Sequence, residues 1–254
     1  LGIMSVTFIF SMFMSNTATA TMMLAVLAPV VASLRDGSKL GKTLCLAVPV
    51  AANIGGMGTI IGSPPNAIAA GALGEQMDFL KWIYLALPPA LAIAAIAYGV
   101  LLLSLRGTQI EKIAIDNSGD KNLSGKDMLK RIIVMIVFAV TVTLWMTSSL
   151  HKTPSAVISF LPIVVLAITG VITARDMRAL PWDVLILLAG GLSLGIAIKS
   201  TGLATWFATL IPSAWTGLPL VIAFAALAVI LSNLMSNTAT ANIMMPIGLA
   251  LVGP

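Results

Sequence analysis

The sequence is short of charge. Only 9% of its 254 residues are Asp, Glu, Lys or Arg, whereas about 25% are charged in a typical soluble domain. It contains one cysteine and one histidine, so a disulfide or a thiolate metal site within the chain is excluded. No long apolar run carries an acidic residue near its middle, which argues against a proton relay of buried carboxylates. The sequence also has no His/Asp/Glu cluster, no Ser-His pair in register and no metal-ligand spacing, so we expect no enzyme activity.

What the sequence has in place of charge is apolar surface. Hydrophobic residues make up 59% of it, more than a water-soluble core of this size could cover, so the expected solvent is lipid. In such a protein the net charge of +5 reports the orientation of loops and does not indicate nucleic-acid binding. The composition predicts an all-α polytopic membrane protein.

Apolar runs divide the chain into segments of membrane length. Single spans are predicted at 81–105, 132–150, 154–173 and 183–199. Shorter arms enclose a polar tip at 1–14 with 18–34 and again at 218–235 with 239–252. The apolar segment 43–74 is interrupted at 55–66 by glycines and prolines. The polar stretch 106–131 is predicted to be a solvated connection.

Lysine and arginine are distributed unevenly between the two sides of the predicted membrane. The loops 35–42, 106–131 and 174–183 carry eleven of the fourteen basic residues. Because loops rich in Lys and Arg stay in the cytoplasm, all three are assigned to that side.

One motif occurs twice. Met-Ser-Asn-Thr-Ala-Thr-Ala at 14–20 recurs at 235–241, seven identities in a row at an offset of 221 residues, which points to structural duplication. Five predicted crossings separate the copies, so the second pair of arms starts from the opposite face. If each pair is a re-entrant hairpin, the two tips enter the membrane from opposite sides. That arrangement is an inverted repeat.

The motif has residue types that can hold an anion without a fixed cation. Ser, Asn and Thr are strong helix N-caps, so the arms that follow would begin at the tips. Their free N–H groups and positive dipole ends would face the middle of the membrane. Leftover carbonyls and the side-chain oxygens of Asn16 and Asn237 suit sodium. Polar residues in apolar helices can also serve only to bond a neighbouring helix, but the duplication favours a site.

The break at 55–66 follows the same logic. Its glycines permit unusual backbone angles, and Pro64-Pro65 cannot continue a helix. Gly62 can offer a carbonyl to an ion, and Ser63 can offer a hydroxyl to a substrate. A discontinuous span beside a re-entrant tip indicates a binding site. The alternative is a plain loop outside the membrane between two short helices.

The paired Ser-Asn-Thr tips and the Gly-Ser-Pro-Pro-Asn run at 62–66 closely resemble the divalent anion:sodium symporter family, whose bacterial members include the INDY-type dicarboxylate transporters. The resemblance covers essentially the whole chain. It implies an elevator-type carrier, usually a homodimer. Members of the family move succinate, malate, fumarate, citrate or sulfate, most often with sodium.

The resemblance also implies roles for residues at matching positions. The substrate clamp would consist of Ser15, Asn16, Thr17, Ser63, Pro64, Ser236, Asn237 and Thr238. The first sodium site would use Ser11, Ser15, Asn16 and Gly62. The second would use Ser232, Met235 (through its carbonyl) and Asn237. Co-transported sodium is the only cofactor expected.

The expected domains follow from the same comparison. Segments 1–34 (first hairpin), 35–80 (cytoplasmic loop and broken helix) and 183–254 (helix and second hairpin) would form the transport domain, and 81–182 would be scaffold-like. The abrupt ends indicate a fragment. The second repeat's broken helix would lie about thirty residues beyond the end, and further spans would precede the start.

The predicted function is sodium-coupled uptake of di- and tricarboxylates such as succinate, malate and fumarate, by an integral protein of the bacterial inner membrane. A sodium-independent dicarboxylate exchanger of the same fold, a sulfate or citrate carrier, and an anion channel stay open as alternatives. The expected partners are a small dianionic carboxylate, sodium, membrane lipid and a second copy of the chain, with no nucleic acid.

Overall fold

The computed structural model describes residues 2–35, 37–106, 125–180, 182–210 and 217–252. Within these ranges the regular elements are helical and no strand occurs, which confirms the predicted all-α class for this part of the chain. In chain order the α-helices are α1 (Gly2–Ser11), α2 (Asn16–Ala32), α3 (Lys39–Gly55), α4 (Pro64–Leu73), α5 (Phe79–Ser104), α6 (Gly125–Met146), α7 (Ser148–His151), α8 (Ser155–Ile168), α9 (Ala174–Arg178), α10 (Trp182–Ser200), α11 (Leu203–Thr209), α12 (Leu218–Leu234) and α13 (Asn237–Val252).

The helices group into two compact units. The first unit consists of Leu1–Ser63 and Asp78–Ala179, and it contains α1 to α3 and α5 to α9. The second consists of Pro64–Met77 and Leu180–Pro254, and it contains α4 and α10 to α13. Each unit therefore contains one copy of the repeated motif, at the tip of one helical hairpin.

In the first unit, α3 packs against both arms of the α1–α2 hairpin. Val48 of α3 forms a buried cluster with Met23 and Leu27 of α2. At the end of α3, Gly55 lies against the backbone of Phe8, where a Cβ would come 2.8 Å from the Phe8 Cα. Glycine at this position lets α3 approach α1 more closely than any other residue would allow. In lipid, such close packing stabilises a helix pair through van der Waals contact.

Two helices of the first unit are long and apolar enough to cross a membrane. They are α5 and the segment Met128–Met146 of α6. Only 6% of the most apolar stretch of α5 and 17% of that of α6 is buried against the rest of the chain. Their exposed side chains are mainly Leu, Ile, Val and Met, a surface that suits contact with lipid hydrocarbon.

In the second unit, α13 packs against α4, α10, α11 and α12. Two glycines of α10, four residues apart, face two residues of α13 with the same spacing. Gly191 lies against Asn242, and Gly195 lies against Pro246. Small residues at this spacing allow close approach of membrane helices, and α10 uses them for that purpose here.

Several helix boundaries differ from the prediction. The arm predicted at 18–34 begins at Asn16, because the Ser15 side chain caps the helix two residues earlier. The span predicted at 132–150 starts at Gly125 and ends at Met146, and the short helix α7 follows it. Helix α11 was not predicted. The break at 55–66 is present between the end of α3 and the start of α4. Of the predicted polar connection 106–131, residues 107–124 lie outside the described ranges.

Candidate ion-binding site

The first copy of the motif forms the N-terminus of α2. Ser15 is the N-cap, and its hydroxyl accepts a hydrogen bond from the Ala18 N–H at 3.3 Å. The Ser15 carbonyl accepts from the Thr19 N–H at 2.9 Å, which is the first bond of the helix ladder. The first N–H groups of a helix have no partner within it and carry a partial positive charge. This tip is therefore suited to an anion.

Oxygen atoms of the same hairpin meet behind this cap. Ser11 is fully buried, and its hydroxyl donates to the Ala52 carbonyl of α3 at 2.7 Å. The same hydroxyl lies 3.0 Å from the Asn16 Oδ1 atom. Because a hydroxyl has a single proton, the Ala52 and Asn16 oxygens compete for it. A positive charge beside Asn16 would resolve that competition.

Two glycines of the loop after α3 complete this arrangement. A Cβ on Gly56 would overlap the Asn16 Oδ1 atom. A Cβ on Gly62 would lie 2.7 Å from the Gly56 carbonyl oxygen and 2.9 Å from the Ser11 carbonyl oxygen. Three backbone segments thus converge in a space that only glycine can occupy. We call Ser11 Oγ, the Ser11 and Gly56 carbonyl oxygens and Asn16 Oδ1 the tip-1 oxygen cluster.

Side chains that the sequence did not single out brace the loop from α3 to α4. The Thr59 hydroxyl donates to the Met12 carbonyl, and it accepts the Gly62 N–H at 3.1 Å. The Trp82 indole N–H of α5 donates to the Met57 carbonyl at 3.0 Å. These bonds tie the loop to both the hairpin tip and the neighbouring span. They hold the irregular backbone that membrane proteins tolerate only when it is packed in protein or lines a cavity.

The second copy of the motif has the same local geometry in the second unit. The Ser236 hydroxyl accepts from the Ala239 N–H at 3.1 Å, and the Ser236 carbonyl accepts from the Thr240 N–H at 3.0 Å. Beside it is a cavity of about 360 Å³. Ser232, Asn237 and Thr240 provide its polar lining, and side chains of α4, α12 and α13 provide the apolar remainder.

The predicted site residues are therefore divided between the two units. Ser11 and Asn16 of the predicted first sodium site belong to the tip-1 oxygen cluster, and Gly62 packs against two of its carbonyl oxygens. Ser15, its fourth predicted member, uses its hydroxyl to cap α2. Thr17 is exposed, and Ser63 is half-buried just before α4.

In the second unit, Ser232 and Asn237 line the same cavity, and Met235 is the extended residue that ends α12. Pro64 is the first residue of α4, a position that suits a residue without an N–H. Ser236 is exposed and Thr238 is half-buried in the first turn of α13.

The sixth residue of each motif copy that starts at Met14 and Met235 is a buried threonine whose hydroxyl has no hydrogen-bond partner within the described residues. Thr19 is 0% exposed and Thr240 is 6% exposed, and neither hydroxyl makes a hydrogen bond within the described residues. The two positions differ by the repeat offset of 221 residues. The sequence pattern marked both residues only as part of the repeat.

The donor set of the candidate site is neutral oxygen. No group of three or more His, Cys, Asp or Glu side chains able to hold a metal occurs among the described residues. The tip-1 oxygen cluster consists of carbonyl, carboxamide and hydroxyl oxygens, which are the ligands that broken membrane helices present to sodium.

The chain is similar to a known family and to several known transporters. The family model described as "Citrate transporter" (CitMHS) matches residues 1–253. The chain is 30% identical to the sodium-dependent dicarboxylate transporter SdcS of Staphylococcus saprophyticus, over 97% of this chain and 54% of that protein. It is 30% identical to an uncharacterized transporter of Haemophilus influenzae, over 95% of this chain and 55% of that protein.

A yeast protein also matches. The chain is 29% identical to the low-affinity phosphate transporter PHO90 of Saccharomyces cerevisiae, over 96% of this chain and 28% of that protein. The chain thus spans about half the length of the bacterial relatives that it matches and a smaller part of the yeast one. The relatives named here are transporters by their names.

Proposed function

The chain belongs to the CitMHS citrate transporter family, and from that premise we propose that it forms the core of a secondary active transporter that couples sodium entry to the uptake of a small dianionic carboxylate. Succinate, malate and fumarate are the substrates proposed first. The protein is an integral membrane protein, and we place it in the bacterial inner membrane as a divalent anion:sodium symporter. The name of the staphylococcal relative supports both the sodium and the dicarboxylate.

The observation that carries this proposal is the tip-1 oxygen cluster beside the N-terminus of α2. The Ser11 hydroxyl oxygen and the Asn16 Oδ1 atom lie 3.0 Å apart there, and the Asn16 and Ala52 oxygens compete for the single proton of that hydroxyl. A sodium ion bound among them would neutralise their mutual repulsion. Its charge would add to the positive end of the helix, so a carboxylate would bind more tightly beside an occupied cation site.

In the proposed mechanism the cation binds before the anion, because a bound cation strengthens carboxylate binding. Sodium binds first and fixes the loop between α3 and α4. The carboxylate then binds to hydroxyls and amides of the motif. The proposed clamp is Ser15, Asn16, Thr17, Ser63, Pro64, Ser236, Asn237 and Thr238. The proposed sodium sites are Ser11, Ser15, Asn16 and Gly62 for the first, and Ser232, Met235 and Asn237 for the second.

The larger framework is part of the same proposal. The two hairpins are proposed to be inverted repeats of one transport domain, made of 1–80 and 183–254, which slides past scaffold-like helices within 81–182. A homodimer is the proposed assembly. The supporting observations are the doubled motif and its identical cap geometry in the two units.

Charge arithmetic sets the minimum sodium coupling. Moving a dianion inward against 100 mV costs about 4.6 kcal/mol, at about 2.3 kcal/mol per charge. Two sodium ions would cancel the charge of the substrate, and a third would make uptake electrogenic. Membrane voltage therefore accelerates uptake only if at least three sodium ions move with each dianion.

The proposal is tested with the full-length protein reconstituted into liposomes. We expect uptake of labelled succinate to rise at least tenfold when an inward sodium gradient replaces choline. Unlabelled malate and fumarate should compete more strongly than citrate, sulfate or phosphate. Succinate uptake that ignores sodium but requires internal dicarboxylate would identify an exchanger instead.

Phosphate is the competitor that the yeast relative's name makes necessary. At neutral pH it is partly a dianion, and the hydroxyls and amides of the motif can bind its oxygens as they would bind a carboxylate. Stronger competition by phosphate than by malate would overturn the dicarboxylate assignment and leave the sodium-coupled anion carrier in place.

A further inference from the structure

Asn53 of α3 makes a single side-chain contact that bears on the tip-1 oxygen cluster. The Asn16 Nδ2 atom donates a hydrogen bond to the Asn53 Oδ1 atom at 3.2 Å. Asn53 lies on the exposed side of α3, immediately after Ala52. Neither the repeated motif nor the glycine-rich break includes it.

A carboxamide presents two chemically opposite ends. Its nitrogen carries two protons, and its oxygen carries two lone pairs. If Asn16 were rotated by half a turn, its N–H groups would face the Ser11 hydroxyl and Gly56, where a cation needs oxygen. The hydrogen bond to Asn53 holds the nitrogen end away and leaves Oδ1 facing Ser11, at 3.0 Å from its hydroxyl.

Two consecutive residues of α3 therefore orient the two polar side chains of the cluster. The Ala52 carbonyl accepts a hydrogen bond from the Ser11 hydroxyl. The Asn53 Oδ1 atom accepts a hydrogen bond from the Asn16 side-chain N–H. Both interactions turn lone pairs toward the same space and protons out of it, which is the arrangement that a cation requires.

We propose that Asn53 is a positioning residue for sodium at the first tip, which acts by fixing the orientation of the Asn16 carboxamide. This inference rests on the proposed function, because it assumes that the cluster binds sodium. Asn53 touches neither the ion nor the substrate. Its effect is on sodium affinity, and the rate at saturating sodium depends on it little.

The test compares two substitutions of nearly equal size in the full-length protein. Asn53→Leu removes the acceptor, and Asn53→Asp keeps an acceptor and has no donor. We expect Asn53→Leu to raise the sodium concentration for half-maximal uptake by about 10- to 100-fold, the range typical of residues that orient metal ligands. The maximal rate should stay within about twofold of the wild type.

Asn53→Asp should keep the half-saturating sodium concentration within about threefold of the wild type. Because its charge could attract sodium by itself, the measurement is made in 0.5 M choline chloride, which screens exposed charges beyond a few ångströms. Ser33→Ala is the control, since the Ser33 hydroxyl donates to the Val30 carbonyl at the other end of α2. It should leave both parameters unchanged.

A second readout does not depend on transport. Sodium should raise the melting temperature of the detergent-solubilised wild type, and Asn53→Leu should need about 10- to 100-fold more sodium for the same rise. If Asn53→Asp weakened sodium binding as much as Asn53→Leu does, or if Asn53→Leu lowered only the maximal rate, the positioning role of Asn53 would be wrong. The proposed function would not be affected by either result. No sodium effect on the wild-type melting temperature and uptake would overturn the sodium part of the proposed function as well.

Discussion

The two hairpins have the same motif and the same caps, yet they hold their polar atoms differently. The cap distances agree within 0.2 Å, at 3.3 Å for Ser15 and 3.1 Å for Ser236. Their inner serines differ. Ser11 donates across the hairpin to Ala52 of α3, whereas Ser232 donates to Val229 of its own helix. The motif thus fixes the helix start, and the surrounding helices decide whether oxygens gather into a cluster.

The two hairpins also differ in the elements that pack against them. In the first unit, α3 packs against both arms of the hairpin, over several positions equivalent to the cavity lining of the second unit. Thr7, Phe8 and Met23 are all buried there. In the second unit, the corresponding face of α12 and α13 borders the cavity of about 360 Å³. The packing of α3 against the first hairpin is therefore what brings the Ala52 carbonyl and the loop glycines to the first motif.

Each unit also packs a glycine against an asparagine carboxamide. In the first unit it is Gly56 against Asn16, and in the second it is Gly191 against Asn242. The first pair belongs to the oxygen cluster. The second joins α10 to α13, and its Asn242 Oδ1 has no hydrogen-bond partner within the described residues. Identical substitutions at the two glycines should therefore have different consequences, one for sodium binding and one for stability.

The largest effect is expected from Gly56→Ala. Its Cβ would overlap the Asn16 Oδ1 atom and push this ligand out of the cluster. We expect sodium-driven succinate uptake to fall at least 100-fold, which corresponds to about 2.7 kcal/mol of lost stabilisation. Gly99→Ala is the control, because a Cβ there meets nothing within 4 Å. If Gly56→Ala retained wild-type uptake and sodium dependence, the cluster would not be the coupling site.

Gly191→Ala should lower stability and leave sodium affinity unchanged. The added Cβ would overlap the Asn242 carboxamide, and overpacking of this kind costs about 1–3 kcal/mol. We expect the melting temperature of the detergent-solubilised protein to fall by several degrees, with no change in the half-saturating sodium concentration.

The double variant Gly191→Ala with Asn242→Ala provides the control for this second pair. Removing the carboxamide makes room for the new methyl group, so the melting temperature should recover most of the loss. Additive losses from the two substitutions would show that the two side chains do not interact, since direct neighbours give non-additive effects.

The sequence predicts those features of the fold that depend on local residue chemistry. The Ser caps and the end of α3 at Gly55 follow from residue types alone, whereas α4 begins at Pro64, inside the predicted break. The family resemblance led us to expect Ser11 and Asn16 in one cluster with Gly62 beside them. Their function as a sodium site stays a prediction.

The remaining features depend on tertiary packing and had no sequence signal. Asn53 and Thr59 act on the tip only because α3 lies in the hairpin. The indole N–H of Trp82 bonds to the loop carbonyl of Met57, a contact that likewise depends on how α5 packs beside the loop. Helix α11 is short and follows a glycine at φ 74°, so neither length nor periodicity distinguished it from a loop.

Removing the two N-caps should have equal and moderate effects. Ser15→Ala and Ser236→Ala each delete one hydroxyl acceptor of a helix N–H, and such a loss costs about 1 kcal/mol. We expect similar decreases in melting temperature when both are measured without sodium and substrate. Ser→Thr at each position keeps the acceptor and should restore most of the stability. A clearly larger loss at Ser15 would mean that α3 makes the first tip depend on its cap more than the second does.

The smallest effect is expected at the two buried threonines, and its sign is informative. Thr19 and Thr240 bury hydroxyls that make no hydrogen bond within the described residues. A buried polar group without a partner destabilises a protein. Thr→Val removes the hydroxyl and keeps the shape, so it should leave the free energy of unfolding unchanged or raise it by up to about 1 kcal/mol, with a matching change in melting temperature. Measured without sodium, both variants should behave alike. If Thr19→Val lowered stability only when sodium was present, its hydroxyl would have a partner in the sodium-bound state, and the two hairpins would differ in ligand binding.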